Sequence, residues 1–113
     1  MAIDYSDFEK VDIRLGKITD VQDFPEARKP AYKLRINLGP EIGIKNSSVQ
    51  LVGAYEKNEL IGMLVACVVN FTPKKIGSFT SEVLTLGFKN TDGEGWVLVT
   101  PSKKSVKLGD KLM

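Results

Sequence analysis

The chain has 113 residues, 42% of them hydrophobic, a formal net charge of +2 and no histidine. That length and apolar content suit one core, so residues 1–113 are read as a single domain. The missing imidazole excludes Ser-His and Cys-His nucleophile pairs and an imidazole general base. With only one cysteine, Cys67, it also excludes a Cys/His zinc site and an intramolecular disulfide.

The acidic side chains are scattered, with no two spaced to share a strand face. The chain therefore reads as non-enzymatic, with no cofactor and no metal. No stretch approaches the roughly 20 apolar residues of a membrane-spanning helix, so no membrane insertion is expected. The opening M-A-I-D-Y-S-D shows no secretory signal, and a cytoplasmic location is the expectation. Net charge says little about a partner, but its distribution is uneven. Asp4, Asp7 and Glu9 make the start acidic. Arg28, Lys29, Lys33 and Arg35 cluster, as do Lys74 and Lys75, and the tail carries Lys103, Lys104, Lys107 and Lys111.

In chain order, Ser6-Asp7-Phe8-Glu9 has the spacing of a capping box and predicts one short helical turn. Val11, Ile13 and Leu15 then alternate with polar residues as in a half-buried strand. The next apolar residue is Ile18, so the parity slips at Gly16-Lys17, which predicts a β-bulge and a bent first strand. Asp23–Pro30 is a loop fixed by Pro25 and Pro30. The second strand is clean: Tyr32, Leu34, Ile36 and Leu38 on one face, Lys33, Arg35 and Asn37 on the other. Lys33 and Arg35 project together, either as a phosphate- or acid-contacting face or as a solvated one.

Gly39-Pro40 ends that strand, and Ser48–Val52 reads as the third. Ala54–Gly62 has room for two helical turns at most, with Gly62 as a stop. Met63–Val69 is a continuous apolar strand holding Cys67, which reads as a small core residue. Ser81–Phe88 reads as a fifth strand, Asp92-Gly93 as a hairpin turn, and Gly95–Thr100 as a sixth strand before an apolar, basic tail.

The stretch between the fourth and fifth strands carries the strongest functional signal. Asn70–Leu84 combines Pro73, Lys74, Lys75, Gly77, several hydroxyls, Phe71 and Phe79. Cations, donors and aromatic faces on a loop suit a polyanion or an extended polymer. The plainer alternative is that Phe71, Ile76 and Phe79 pin the loop to the core. The element order, with a small helix between the third and fourth of five strands, is that of an all-β, five-stranded OB-fold barrel with a C-terminal extension. In that fold the ligand crosses strands 2 and 3 between the loops after strands 1 and 4, here Asp23–Pro30 and Phe71–Thr80.

D-F-E-K-V-D-I-R-L-G-K-I (Asp7–Ile18) and V-N-F-T-P-K-K-I-G-S-F-T-S-E-V-L (Val69–Leu84) resemble the two signatures of the tRNA-binding domain family, the OB module attached to methionyl- and phenylalanyl-tRNA synthetases. F-P-E-A-R-K-P-A-Y-K-L (Phe24–Leu34), G-P-E-I-G-I-K-N-S-S-V-Q (Gly39–Gln50) and S-E-V-L-T-L-G (Ser81–Gly87) resemble its stand-alone CsaA secretion-chaperone branch. Together these segments span nearly the whole chain. The sequence departs from the tRNA-binding pattern after Ser81, where Glu82-Val83-Leu84 replaces a polar residue followed by Gly-Met.

The resemblance implies a homodimer that binds unfolded or export-bound polypeptides, on a scaffold that elsewhere binds tRNA. For RNA, Lys33, Arg35, Lys74 and Lys75 are the candidate phosphate contacts, with Asn70 and Ser81 as hydrogen-bonding partners. For a polypeptide, Phe24, Arg28, Phe71 and Phe79 are the candidate groove residues. For the dimer, Phe8 in the first turn and Val106, Leu108 and Leu112 in the tail are the candidate contacts. The alternative for the tail is that it folds back on its own barrel.

Overall fold

A computed structural model describes every residue from Met1 to Met113. The chain opens with helix α1 (Tyr5–Glu9). Its capping residues lie earlier than the Ser6–Glu9 spacing suggests: the Asp4 N–H donates to the Asp7 carboxylate at 3.2 Å. An Asp at both positions places negative charge at the helix start, where the free N–H groups point.

Strand β1 (Ile13–Asp23) is the long bent strand that the sequence anticipates. Its bulge, however, sits at Thr19, between the pairs Ile18↔Ile36 and Asp20↔Arg35, and not at Gly16-Lys17. Gly16 is needed for another reason. A Cβ there would lie 2.5 Å from Ile36 Cγ2 and 2.9 Å from Leu38 Cδ2, so the strands can approach only over a bare backbone. Pairing runs unbroken from Ile13 to Ile18, so Leu15 and Ile18 lie on opposite faces of a regular strand, and the glycine that suggested a bulge marks close packing instead.

β2 (Tyr32–Asn37) alternates as expected, with Leu34, Ile36 and the following Leu38 fully buried. Helix α2 (Gly39–Ile42) is a single turn. It leads through Gly43, at φ +84°, directly into β3 (Ile44–Val49), whose span corrects the Ser48–Val52 reading. The strand was hidden because a fully buried serine, Ser47, stands where an apolar residue is expected. Helix α3 (Lys57–Leu60) follows, shorter than the Ala54–Gly62 segment read as helical but in the expected place, with Leu60 fully buried beneath it. β4 (Leu64–Val68) is the apolar strand, and Cys67 is a core residue.

The region after β4 is richer in structure than a loop. β5 (Lys74–Ile76) and β6 (Phe79–Ser81) form a hairpin turned at Gly77, φ +61°. The expected fifth strand, Ser81–Phe88, is divided. Ser81 closes the hairpin, β7 (Leu84–Thr85) pairs with β4, and β8 (Gly87–Lys89) pairs with β9 (Trp96–Leu98). Gly87 permits that switch of partner, because a Cβ there would lie 2.9 Å from the Val97 carbonyl oxygen. The β8–β9 turn includes Asp92-Gly93 and is held by Asn90, whose amide accepts from the Asp92 N–H and donates to the Glu94 carbonyl, both at 3.0 Å.

The main sheet is antiparallel in the order β3-β2-β1-β4-β7. β1 serves both halves, pairing with β4 along Ile13–Lys17 and with β2 along Lys17–Asp23. A long bent strand shared in this way curls the sheet into a nearly closed five-stranded barrel of OB type. Ile18, Leu34, Ile36, Leu38, Leu51, Leu60 and Val65 fill it, each fully buried.

Closure between β3 and β7 uses side chains as well as backbone. The Ser47 hydroxyl donates to the Val83 carbonyl at 3.0 Å and lies 2.9 Å from the Thr85 hydroxyl. The Glu82 N–H donates to the Asn46 carbonyl at 2.8 Å, and the Glu82 carboxylate accepts from the Asn46 N–H at 3.0 Å. Every buried side-chain nitrogen and oxygen has a partner.

The tail returns to its own barrel. The Gly109 N–H donates to the Leu15 carbonyl, the Leu15 N–H to the Asp110 carbonyl and the Leu112 N–H to the Ile13 carbonyl, all at 2.8–3.0 Å. No helix is long and apolar enough to cross a membrane.

Candidate nucleic-acid and polypeptide groove

A groove of about 1050 Å³ lies between the β1–β2 loop and the β5–β6 hairpin. The loop supplies Glu26, Arg28 and Lys29. The hairpin supplies Lys74 and Lys75. The floor between them includes Val49, Leu84 and Trp96. These are the two loops that the OB pattern names as ligand-gripping, and here the chain turns them toward one space.

Of the residues singled out from sequence, Arg28, Phe71, Lys74, Lys75 and Ser81 line this groove together. Phe71 leaves 52% of its surface exposed, an unusual state for a phenylalanine, and supplies an apolar face at the edge. Four cations and two carboxylates share the lining, so the groove is positive on balance. Arg28, Lys29, Lys74 and Lys75 take no part in any of the four ion pairs of the molecule.

The other candidates stand elsewhere. Phe24 is only 4% exposed and packs edge to face on Phe79, ring centres 5.2 Å apart, so neither ring lines the groove. Lys33 and Arg35 share the outer face of β2, as the alternation required. Lys33 lies across from Ser48, a groove residue, and Arg35 across from Asn46. Asn70 is a clasp: its amide oxygen accepts from the Asp12 N–H at 2.9 Å and its amide nitrogen donates to the Lys10 carbonyl at 2.8 Å. It ties the end of β4 to the entry of β1.

Ser81 also has a structural duty, since its hydroxyl accepts from the Ser48 N–H at 3.1 Å. Glu82 lies at the groove wall with its carboxylate engaged by Asn46 and 3.9 Å from the Lys45 ammonium. Val83 turns inward, 5% exposed. The Glu82-Val83 departure thus has a packing reason, with one residue zipping the barrel and the next filling it. Of the proposed dimer contacts, Phe8 and Leu108 are half-buried, whereas Val106 and Leu112 are 44% and 50% exposed.

Sequence reasoning missed Val49 and Trp96 in the floor. Trp96 reaches it because the start of β9 lies beside the segment that follows β3, its N–H donating to the Gln50 carbonyl at 2.8 Å. No local pattern signals that placement.

Two titrating groups show what the surroundings do. Burial pushes the Cys67 thiol from its ordinary 9.0 up to about 11, partly opposed by the Thr85 hydroxyl 3.7 Å away. A thiol so protonated is a poor nucleophile. The Lys57 ammonium is held above its usual range by its hydrogen bond to Asp23 at 2.9 Å. No cluster of three or more Cys, Asp or Glu side chains is placed to hold a metal. What the groove can do is bind: bare cations for phosphates or carboxylates, and an apolar floor for bases or hydrophobic side chains.

Comparison with known proteins identifies the family of the fold. The model of the putative tRNA binding domain matches residues 13–111. The chain is 40% identical to the methionine–tRNA ligase of Nanoarchaeum equitans and 36% identical to that of Thermococcus onnurineus, in each case over 97% of this chain. It spans only 13% and 14% of those ligases. Among solved structures, the CsaA chaperone of Picrophilus torridus superposes with a TM-score of 0.91 at 51% identity, covering 99% of this chain and 100% of that one. The CsaA chaperone of Bacillus anthracis superposes with a TM-score of 0.90 at 39% identity, covering both chains fully. With the family model matched across nearly its whole length, and the barrel and groove arranged as described, the chain belongs to the tRNA-binding domain family.

Proposed function

We propose that this chain is a non-catalytic, CsaA-like export chaperone. It holds unfolded or export-bound polypeptide segments in the groove between the β1–β2 loop and the β5–β6 hairpin, acting in the cytoplasm as a homodimer. The observation that carries the reading is the groove itself: about 1050 Å³, with Val49 and Trp96 in the floor, exposed Phe71 at the edge and unpaired cations around the rim. Apolar side chains of an extended segment fit such a floor, while the rim attracts acidic side chains and carbonyl oxygens. Its likeness to two CsaA structures extends over both partners' whole length, whereas its likeness to the ligases covers a small part of theirs.

For the dimer, Val106 and Leu112 are exposed apolar residues on a tail that is already fixed to β1. With Phe8 and Leu108 they form the proposed contact, and two grooves on one dimer gain from avidity. The second reading is tRNA binding, alone or beside a synthetase. It is favoured by Arg28, Lys29, Lys74 and Lys75, which lie free on one rim and match the needs of a phosphate backbone.

A salt-resolved titration against an unfolded polypeptide and bulk tRNA, side by side, separates the two. Polypeptide binding that survives salt, with weak tRNA binding, is the expected result. Tight, steeply salt-dependent tRNA binding with no polypeptide binding overturns the chaperone reading. Sedimentation of the wild-type protein and of Leu112→Asp tests the dimer, which the substitution is expected to dissociate.

A further inference from the structure

Lys33 stands beside the groove, but its ammonium is directed at two aromatic rings. The Nζ lies 5.6 Å from the centre of the Phe24 ring and 5.9 Å from that of Phe79. The two rings meet edge to face at 64°. They come from the two walls of the groove: Phe24 begins the loop after β1, and Phe79 begins β6, the returning arm of the hairpin. Lys33 itself is on β2, which is paired on both sides, with Gln22 opposite on β1 and Ser48 opposite on β3. The hairpin has no such support, because β5 and β6 pair only with each other. At its β6 arm it is tied to the barrel by the Ser81 hydroxyl on the Ser48 N–H, by the Glu82–Asn46 hydrogen bonds just beyond the arm and by the Phe79 contact.

We propose that Lys33 is a positioning residue: from the rigid β2 strand it clasps the β1–β2 loop to the β5–β6 hairpin through Phe24 and Phe79, and so sets the spacing of the groove walls. The inference rests on the reading of the groove as a polypeptide site. An ammonium over aromatic faces is attracted by the ring quadrupoles. Walls held together before the ligand arrives spare the complex the ordering cost of loop and hairpin. A lysine that neutralises a phosphate behaves differently, because its loss lowers the salt slope of RNA binding by about one.

The test compares Lys33→Met, which keeps the apolar stem without the charge, with Lys33→Arg, whose guanidinium also stacks on aromatic faces. Each is titrated across a salt series with a labelled, reduced and carboxymethylated polypeptide and with bulk tRNA, and hydrogen exchange is followed at the hairpin tip, Ile76–Phe79. Lys33→Met is expected to weaken polypeptide binding about two- to fivefold, the range of one cation–π contact. It is also expected to speed exchange at the tip and to leave the tRNA salt slope at the wild-type value. Lys33→Arg is expected to restore polypeptide affinity and slow exchange, again with the tRNA salt slope at the wild-type value.

A salt slope lower by about one, with polypeptide affinity and exchange unchanged, would make Lys33 a phosphate ligand and overturn the proposal. No change in any readout overturns it equally. If the wild-type protein binds no polypeptide, the reading of the groove fails separately. The clasp is then judged by exchange alone, where faster exchange in Lys33→Met supports it and unchanged exchange overturns it.

Discussion

The rim of the groove and the closure of the barrel use similar residues for opposite ends. At the rim, Arg28, Lys29, Lys74 and Lys75 have no ion-pair partner and face an open space. Around the barrel the buried polar side chains are all occupied. Ser47 bridges to Val83 and Thr85, Ser81 and Glu82 cap N–H groups of β3, and Asn70 ties β4 to the entry of β1. Arg14 is held by Asp12 at 2.6 Å and donates to the Gly109 carbonyl at 3.0 Å, latching the tail to β1. Residue type therefore does not separate a binding group from a structural one; the presence of a partner inside the fold does. Substitutions on the rim should change binding without changing stability, and substitutions in the closure should do the reverse.

The sharpest way to break this contrast is a double charge reversal, Lys74→Glu with Lys75→Glu. Affinity for bulk tRNA at low salt is expected to fall about 100-fold and the salt slope by about two. The unfolding free energy from urea melts is expected to stay within about 0.5 kcal/mol of wild type, because neither lysine has an ion-pair partner to lose. Loss of stability of comparable size would place these lysines in the closure after all.

A similar magnitude is expected from pH at the buried seam. Cys67 keeps its proton to about pH 11 in the fold but loses it near 9 when unfolded. Its contribution is therefore fully present below pH 9 and lost as pH rises through about 11. At roughly 1.4 kcal/mol for each pH unit between the two values, the loss reaches about 2.7 kcal/mol. Denaturant melts of wild type and Cys67→Ala at pH 8 and pH 11 check this. The variant should lack that part of the alkaline decline, and an identical decline in both would remove Cys67 from the account.

Ser47→Ala deletes the donor that satisfies the Val83 carbonyl and the partner of the Thr85 hydroxyl, both in a fully buried setting. A cost of about 1–3 kcal/mol is expected in chemical denaturation, with the tRNA salt slope unaltered.

The smallest effect is assigned to Asn70→Ala. It leaves the Asp12 N–H and the Lys10 carbonyl without their present partners at an exposed position, where water replaces them, so about 1 kcal/mol or less is expected. A fall in tRNA affinity at unchanged stability would return Asn70 to the ligand-binding set proposed from sequence and blur the division between the two regions.

Several features were legible in the sequence because they depend on a residue and its near neighbours. Alternation along Tyr32–Leu38 places Lys33 and Arg35 on one outer face whatever the strand pairs with. The apolar run at Met63–Val69, the small helix before it and the two ligand-side loops followed from the same local rules, and their order named the barrel. Where the reading failed, the missing information was a partner. Ser47 looks like a break in an apolar pattern until Val83 and Thr85 are opposite it. Gly16 looks like a bulge until Ile36 and Leu38 press on it, while the bulge itself falls on Thr19. The hairpin within Asn70–Leu84 gave only a loop-like signal, since three-residue arms are too short to show a period.

The sequence by itself determined the order of the barrel's elements, the two faces of its second strand, its apolar fourth strand and the absence of histidine chemistry. Those are set by which side chains avoid water and by which groups exist at all. The tertiary structure decided which polar groups are free to meet a ligand. A hydrogen bond that β3 demands of Ser81, or β1 of Asn70, is fixed only once distant strands come into register, and what such bonds leave unused is the rim of the groove.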